Sequence, residues 1–181
     1  MDGSILVRTL KTEELTADQK SKVIDVCIAA NDDEGFKDLF AVYFPSGARH
    51  FLGYVGAELV SHAVVSIRWA QPEGMHELST AYVDAVATSP AFQSRGCGSA
   101  VMRQLAADTG DFEIACLQTE REGFYARLGW EIWRGPLAGR GEDGLILTPD
   151  QRGVMVLRLP RTPPIDLDAA MTIECQRERI W

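Results

Sequence analysis

Groups that hold metals or cross-links are scarce in this chain. Its 181 residues include four cysteines and three histidines. Cys27, Cys97, Cys116 and Cys175 form no C-x-x-C pair and stand at no metal spacing from a histidine. Free, buried or incidental thiols and no metal are expected. His50 and His62 fall on strand-like stretches and read as core or hairpin histidines; His76 sits in a polar loop. Long apolar runs are missing too. None approaches the roughly 20 residues that span a bilayer, and Met1-Asp-Gly-Ser-Ile-Leu-Val-Arg8 lacks the basic stretch and apolar run of a signal peptide. A cytoplasmic protein with no membrane partner is the reading. Basic residues are outnumbered, 18 Lys+Arg against 26 Asp+Glu, for a net charge of −8. That field repels nucleic acid and attracts a cation, so no nucleic-acid partner is expected.

What remains is ordinary for a globular protein. Hydrophobic residues make up 46% and charged residues 24%, enough for a core without staples, and the length suits a single domain over residues 1–181. Ile5, Val7 and Thr9 alternate with Leu6, Arg8 and Leu10 as in a strand. Thr16-x-x-Gln19 is a capping-box pattern, and Val23, Ile24, Cys27 and Ile28 recur at helical spacing, which predicts a helix over 17–30. Residues 31–35 end it, and a weaker helical stretch follows to Phe40. Residues 49–55 and 58–69 read as a hairpin turning at Gly56, and 71–74 as a turn. Residues 82–88 read as a central strand, apolar on both faces except at Asp84, which shares a face with Tyr82 and Val86. Ser89-Pro90 stops it. A helix over 99–108, a strand over 112–117, a helix over 120–128 capped by Gly129 and a strand over 130–133 follow. The glycine-rich stretch 135–144 reads as a surface loop, 153–159 as a strand, and Arg161-Thr-Pro-Pro164 as a stiff connector. Met171, Ile173 and Cys175 alternate in a last strand before a charged tail ending in Trp181. Trp69, Trp130 and Trp133 read as core or interface aromatics. This order makes a mixed α/β domain whose sheet is clothed by helices.

The strongest local signal is Gln93-Ser94-Arg95-Gly96-Cys97-Gly98-Ser99-Ala100, between the apolar strand and the next helix. Glycines there let the backbone turn sharply with successive N–H groups pointing outward. A helix start adds about half a positive charge, so the segment suits a pyrophosphate. A turn that only joins two elements is the plainer reading. A dinucleotide fingerprint would need a glycine where Val101 stands, and a P-loop would need Lys-Ser/Thr where Ser99-Ala100 stands.

Gln-x-x-Gly-x-Gly opening a helix after a Val/Ala-rich strand resembles the acyl-CoA signature of the GCN5-related N-acetyltransferases. Phe124-Tyr125-Ala-Arg-Leu128-Gly129-Trp130 resembles that superfamily's later helix-to-strand corner. The resemblance covers about residues 5–133 as the core, with 134–181 supplying C-terminal strands and a tail to the acceptor site. More narrowly, Tyr82-Val-Asp84-Ala-Val86, Gly129-Trp130-Glu-Ile-Trp133, Gly153-Val-Met155 and the closing Trp181 are similar to aminoglycoside 2′-N-acetyltransferases. The resemblance implies the GCN5-related fold, a mixed central sheet flanked by helices. It also implies acetyl-CoA as co-substrate, direct attack of an acceptor amine on the thioester, antibiotic resistance and a homodimer.

Residue roles follow from the same resemblance. Val86, Thr88, Gln93, Ser94, Arg95, Gly96, Cys97, Gly98 and Ser99 would bind the cofactor, Val86 through a backbone N–H that polarises the thioester carbonyl. Asp84 would take a proton from the substrate ammonium, through water because aspartate is a methylene shorter than the family's glutamate. Its alternative is a pairing with a neighbouring base or an opening to solvent. Tyr125 would protonate the departing thiolate; its alternative is a core aromatic. Cys97 invites an acyl-cysteine route, but the superfamily places no nucleophile there.

Asp32, Asp33, Glu34 and Asp38 fall in the segment that lines the acceptor site in the superfamily. With Asp84, Asp150 and Trp181 they would hold a cationic, aminoglycoside-type acceptor. Their plainer readings are solvated surface acids and a tail docked for stability. Two positions depart from the narrower family: an aspartate two residues before the final tryptophan is Arg179 here, and an acid before the glycine is Arg152. The exchange suits an acceptor with fewer ammonium groups or a carboxylate of its own, such as kasugamycin. The rivals are the same fold acting on a polyamine, metabolite or peptide amine, and a non-catalytic module that binds acyl-CoA or an antibiotic.

Overall fold

The computed structural model describes residues 5–176 and 179–181, without the side chains of residues 42 and 43. Met1–Ser4 and residues 177–178 of the charged tail lie outside the described residues. The chain forms two compact units, residues 1–66 with 83–108 and residues 67–82 with 109–181.

The first unit holds β1 (Ile5–Lys11), α1 (Ala17–Asn31), β2 (Arg49–Val55), most of β3 (Glu58–Pro72), the second half of β4 (Leu78–Thr88) and α2 (Cys97–Asp108). β1 and β2 are antiparallel, as are β2 and β3, with a register shift at Gly53/Tyr54. The capping box is formed: the Gln19 N–H donates to Thr16 Oγ1 at 3.2 Å and the Thr16 N–H donates to Gln19 Oε1 at 2.9 Å. α1 stops where Asp32 turns left-handed (φ +52) and gives its N–H to Ile28 O. The weaker helical stretch becomes a 3-10 turn over Glu34–Asp38 and a π turn over Leu39–Tyr43. Val23, Cys27, Leu39, Leu52, Leu59, Val64 and Ala87 form this unit's core.

The second unit holds β5 (Ile114–Gln118), α3 (Glu122–Ala126), β6 (Glu131–Ile132), β7 (Leu137–Gly141), β8 (Gly144–Leu147), β9 (Val154–Arg158) and β10 (Met171–Glu174), with the adjoining ends of β3 and β4. β5 runs parallel to β4 and antiparallel to β9, which pairs β6. β10 runs antiparallel to β3 and parallel to β7, which pairs β8. The sheet is therefore mixed. Its core gathers Tyr82, Ile114, Cys116, Trp133, Val154, Val156, Met171 and Ile173.

Several boundaries move. The stretch read as a turn at 71–74 begins inside β3, which reaches Pro72 because Met171 of β10 pairs with it. The glycine-rich surface loop at 135–144 contains β7 and the first residue of β8, a hairpin held by long-range pairing with β10. α2 starts two residues earlier than expected, at Cys97, and α3 is five residues rather than nine. Cys27, Cys97 and Cys116 are buried, Cys175 is half-buried, and among the described residues none is joined in a disulfide. Trp130 and Trp133 are buried, whereas Trp69 is exposed. His50 and His62 are buried; His76 is exposed and meets Glu113 at 3.0 Å.

Candidate active site

The alternation of β4 breaks at Ala85, whose φ is +48°. A non-glycine residue there costs about 1–2 kcal/mol, so neighbours must hold it. His62 does so, its Nδ1 lying 2.9 Å from Ala85 O. This bulge corrects the expectation of a strand covered throughout. Ala81, Tyr82 and Val83 are buried, but Asp84, Ala85 and Val86 are half-buried, and the two-residue spacing that put Asp84 and Val86 on one face is interrupted. Asp84 therefore has access to water.

Beyond the bulge the chain is fixed to β3. Ser61 Oγ donates to Ala87 O at 2.9 Å and lies 2.9 Å from Thr88 Oγ1; the Ser89 N–H donates to Val60 O. Since Ser61 has one proton, the Thr88 hydroxyl is the donor of the second bond. Gln93 Nε2 donates to Thr88 O at 3.1 Å, so Thr88 and Gln93 shape the approach to the loop. Ser94 (φ +60°) and Gly96 (φ +84°) are both left-handed, on either side of Arg95. That succession folds neighbouring N–H groups toward one side, the geometry of an anion-binding nest. The first bond of α2 runs from the Ala100 N–H to Gly96 O at 2.9 Å. The N–H groups of Cys97, Gly98 and Ser99 thus have no acceptor within the helix, and the helix field adds positive potential. Arg95 stands at the surface over the Phe92 ring, 5.4 Å from its centre. The segment fits a diphosphate by its backbone. Cys97 is buried and its burial pushes the thiol pKa up, with the Arg95 charge opposing; a buried protonated thiol is a poor nucleophile.

In the second unit, Tyr125 projects from α3 between Phe124 and Trp130, both edge-on at 4.9 and 6.0 Å. Burial pushes its pKa up to about 12, Arg121 opposing, so the phenol keeps its proton at neutral pH. The same unit contains a cavity of about 550 Å³ lined by Gln118, Thr119, Glu120, Glu122, Asp150 and Arg152, among others. Gly153 frames it with φ +72°, and a Cβ there would lie 1.9 Å from Thr119 O. The Thr119 N–H donates to Gly153 O at 2.9 Å, which locks the two loops together. Of these residues the sequence signalled Asp150, Arg152 and Gly153. Gln118–Glu122 went unnoticed because no local pattern marks a segment whose partner lies about thirty residues on. Arg152 uses one nitrogen on Pro149 O and Gln151 O, both at 2.8 Å, so part of its guanidinium is committed to its own loop.

The acids of the 32–38 segment are all exposed. Asp33 accepts from the Gly35 N–H at 2.8 Å, Glu34 pairs with Lys37, Asp32 caps α1 and Asp38 leads into the π turn. With Asp84 they belong to the first unit; Tyr125, Asp150 and Trp181 belong to the second. Trp181 is half-buried against the second unit's core, and among the described residues its Nε1 has no hydrogen-bond partner. Just before it, Gln176 and Arg179 exchange backbone bonds of 2.9 Å, and Arg68 Nη2 reaches Arg179 O at 3.4 Å. No group of His, Cys, Asp or Glu able to hold a metal occurs among the described residues, and none of their helices is long and apolar enough to cross a membrane.

Residues 46–132, which carry the bulge, the cradle and Tyr125, match the family pattern described as an acetyltransferase (GNAT) domain. The fold is the α/β fold of GNAT structures, with a mixed sheet and flanking helices. Among solved structures the chain is similar to the Escherichia coli GNAT family N-acetyltransferase YhbS in complex with CoA, with a TM-score of 0.67 at 12% identity, covering 96% of this chain and 92% of that one. The Escherichia coli ribosomal-protein-S18-alanine N-acetyltransferase gives 0.58 at 15% identity, over 89% and 97%. Eis1 from Mycobacterium abscessus gives 0.61 at 18% identity over 75% of this chain, which spans only 33% of that protein's length.

Proposed function

We propose that the protein is an acetyl-CoA-dependent N-acetyltransferase whose acceptor is a cationic amine of the aminoglycoside type. The observation that carries the reading is the left-handed pair Ser94 and Gly96 at the start of α2, a backbone cradle for the diphosphate of coenzyme A. Acetyl-CoA supplies the acetyl group as a thioester. Asp84, open to water, accepts through it the proton that the acceptor ammonium must shed. The Val86 N–H donates to the thioester oxygen as the amine nitrogen bonds to its carbon. Tyr125 gives its phenolic proton to the sulfur as the carbon–sulfur bond breaks, and regains one through water from the nitrogen, which sheds its second proton as the amide forms. No residue of the chain is acylated.

The acceptor reading rests on charge. The net charge of −8 and the three carboxylates Glu120, Glu122 and Asp150 around one guanidinium, Arg152, favour a cation in the second unit's cavity. Asp32, Asp33, Glu34, Asp38 and Trp181 are proposed as further contacts. Arg152 and Arg179 in place of acids favour kasugamycin over a deoxystreptamine drug. A single domain over 1–181, from the length, a cytoplasmic location, from the lack of long apolar runs, and a homodimer and a resistance role, from the resemblance, complete the proposal.

The experiment is thiol release from acetyl-CoA by the purified protein, with mass spectrometry of each product. The panel holds a kanamycin-type drug, kasugamycin, spermidine and a short peptide. Acetylation of kasugamycin alone supports the full reading, and turnover of the kanamycin-type drug with kasugamycin inert removes the argument from the two arginines. Acetylation of spermidine or the peptide alone moves the acceptor class. Acetyl-CoA binding with no thiol release in any arm favours a non-catalytic module.

A further inference from the structure

Two fully buried histidines lie behind the bulge of β4. His50 on β2 and His62 on β3 are diagonal neighbours across an antiparallel pair, since His50 stands opposite Val64 and His62 opposite Leu52. His62 Nδ1 is 2.9 Å from Ala85 O, His62 Nε2 is 3.0 Å from His50 Nδ1, and His50 Nε2 is 3.0 Å from Thr12 Oγ1. Thr12 Oγ1 is in turn 2.9 Å from Pro45 O. Phe40 stacks on His50 at 5.6 Å, and Phe44 packs edge-on to it at 5.1 Å. Burial pulls the pKa of His50 to about 2, with the charges of His62 and Lys20 adding, and that of His62 to about 4, with the hydrogen bond to Ala85 opposing. Both rings are therefore neutral at pH 7.

A carbonyl only accepts, so a neutral His62 that pairs with Ala85 O carries its proton on Nδ1 and leaves Nε2 bare. His50 Nδ1–H can donate to that Nε2, with His50 Nε2 accepting from the Thr12 hydroxyl. Carbonyls stand at both ends, Ala85 O and Pro45 O, so His62, His50 and Thr12 bring three protons to four contacts and one contact always lacks a proton. Whether Thr12 turns to His50 or to Pro45, the Nδ1–H of His62 is the one donor of the relay that can meet Ala85 O.

The peptide that follows makes this matter. In a planar trans peptide the C=O of one residue and the N–H of the next point in opposite directions. With Ala85 O turned inward to His62, the Val86 N–H faces away from the buried pair, on a segment that is half-buried rather than enclosed. We infer that His62, donating from Nδ1 to Ala85 O, is a positioning residue that aims the Val86 N–H at the thioester carbonyl. This rests on the proposed role of that N–H, and nothing else in the chain is given a new catalytic part.

The test uses acetyl-CoA labelled with carbon-13 at the carbonyl and isotope-edited infrared spectra of the bound thioester. In the wild-type protein the carbonyl stretch moves to lower frequency than in free acetyl-CoA. His62→Leu returns it toward the free value with acetyl-CoA affinity within about twofold. His62→Asn, whose side-chain N–H can occupy the place of Nδ1–H, restores most of the displacement. A wild-type protein with no displacement overturns the role of the Val86 N–H itself. A displacement that survives in His62→Leu, or is lost equally in the Leu and Asn variants, overturns the positioning role alone. Nitrogen-15 spectra of the wild-type rings decide the point without any variant. They should show His62 neutral and protonated on Nδ1; an Nε2–H tautomer at His62 contradicts the inference.

Discussion

The cradle at the start of α2 is made of backbone, and the cavity beside Gly153 is made of side chains. In the first, Ser94 and Gly96 turn left-handed and the helix start leaves N–H groups unspent, so the identities of most side chains matter little. In the second, Glu120, Glu122, Asp150 and Arg152 come from two loops locked through Thr119 and Gly153, and charge decides what enters. A backbone site recognises what ligands of one class share, which on the proposed function is a diphosphate. A side-chain site can change its ligand through one or two substitutions. The difference explains why the cofactor is the firmer half of the proposal and why Arg152 bears on the acceptor.

Gly153→Ala should do the most damage to this division, because it combines a strained φ with a methyl 1.9 Å from Thr119 O. Thermal unfolding should show a loss of about 3 kcal/mol, with the cradle's affinity for acetyl-CoA surviving in the folded fraction. Tyr125→Phe should lower kcat about 100-fold while leaving KM for acetyl-CoA nearly unchanged. Because the phenol's pKa is pushed up to about 12, any loss of wild-type rate between pH 8 and about pH 10 must come from another group. Gly96→Asp places a branched carbonyl side chain at φ +84° and a negative charge on the cradle. Calorimetry should show acetyl-CoA binding weakened about 30-fold, about 2 kcal/mol. Asp150→Asn should be the mildest, raising the acceptor KM about fivefold with acetyl-CoA affinity unchanged. Equal effects of Gly96→Asp and Asp150→Asn on both ligands would erase the division of labour.

Local chemistry made much of the fold legible. Thr16 and Gln19 announced α1, Gly56 the hairpin and Gly129 a left-handed turn, each by a rule that acts within a few residues, though α3 itself stops earlier, at Ala126. The turn within 93–100 was legible at Gly96 for the same reason, whereas the left-handed Ser94 carries no such mark. Partners distant in sequence hid the rest. β7 looked like a loop because its strand character comes from pairing with β10 on one side and β8 on the other. The bulge at Ala85 was invisible because an alanine does not advertise a left-handed φ; what holds it is His62, twenty-three residues earlier. Asp33 and Glu34 illustrate a further limit, since carboxylates counted as ligands can be engaged with their own segment.

The most direct measurement is a crystal structure of the protein with acetyl-CoA. The account predicts the diphosphate on the N–H groups of residues 94–99 and the thioester oxygen on the Val86 N–H. A diphosphate held elsewhere, with Ser94 and Gly96 untouched, would contradict it.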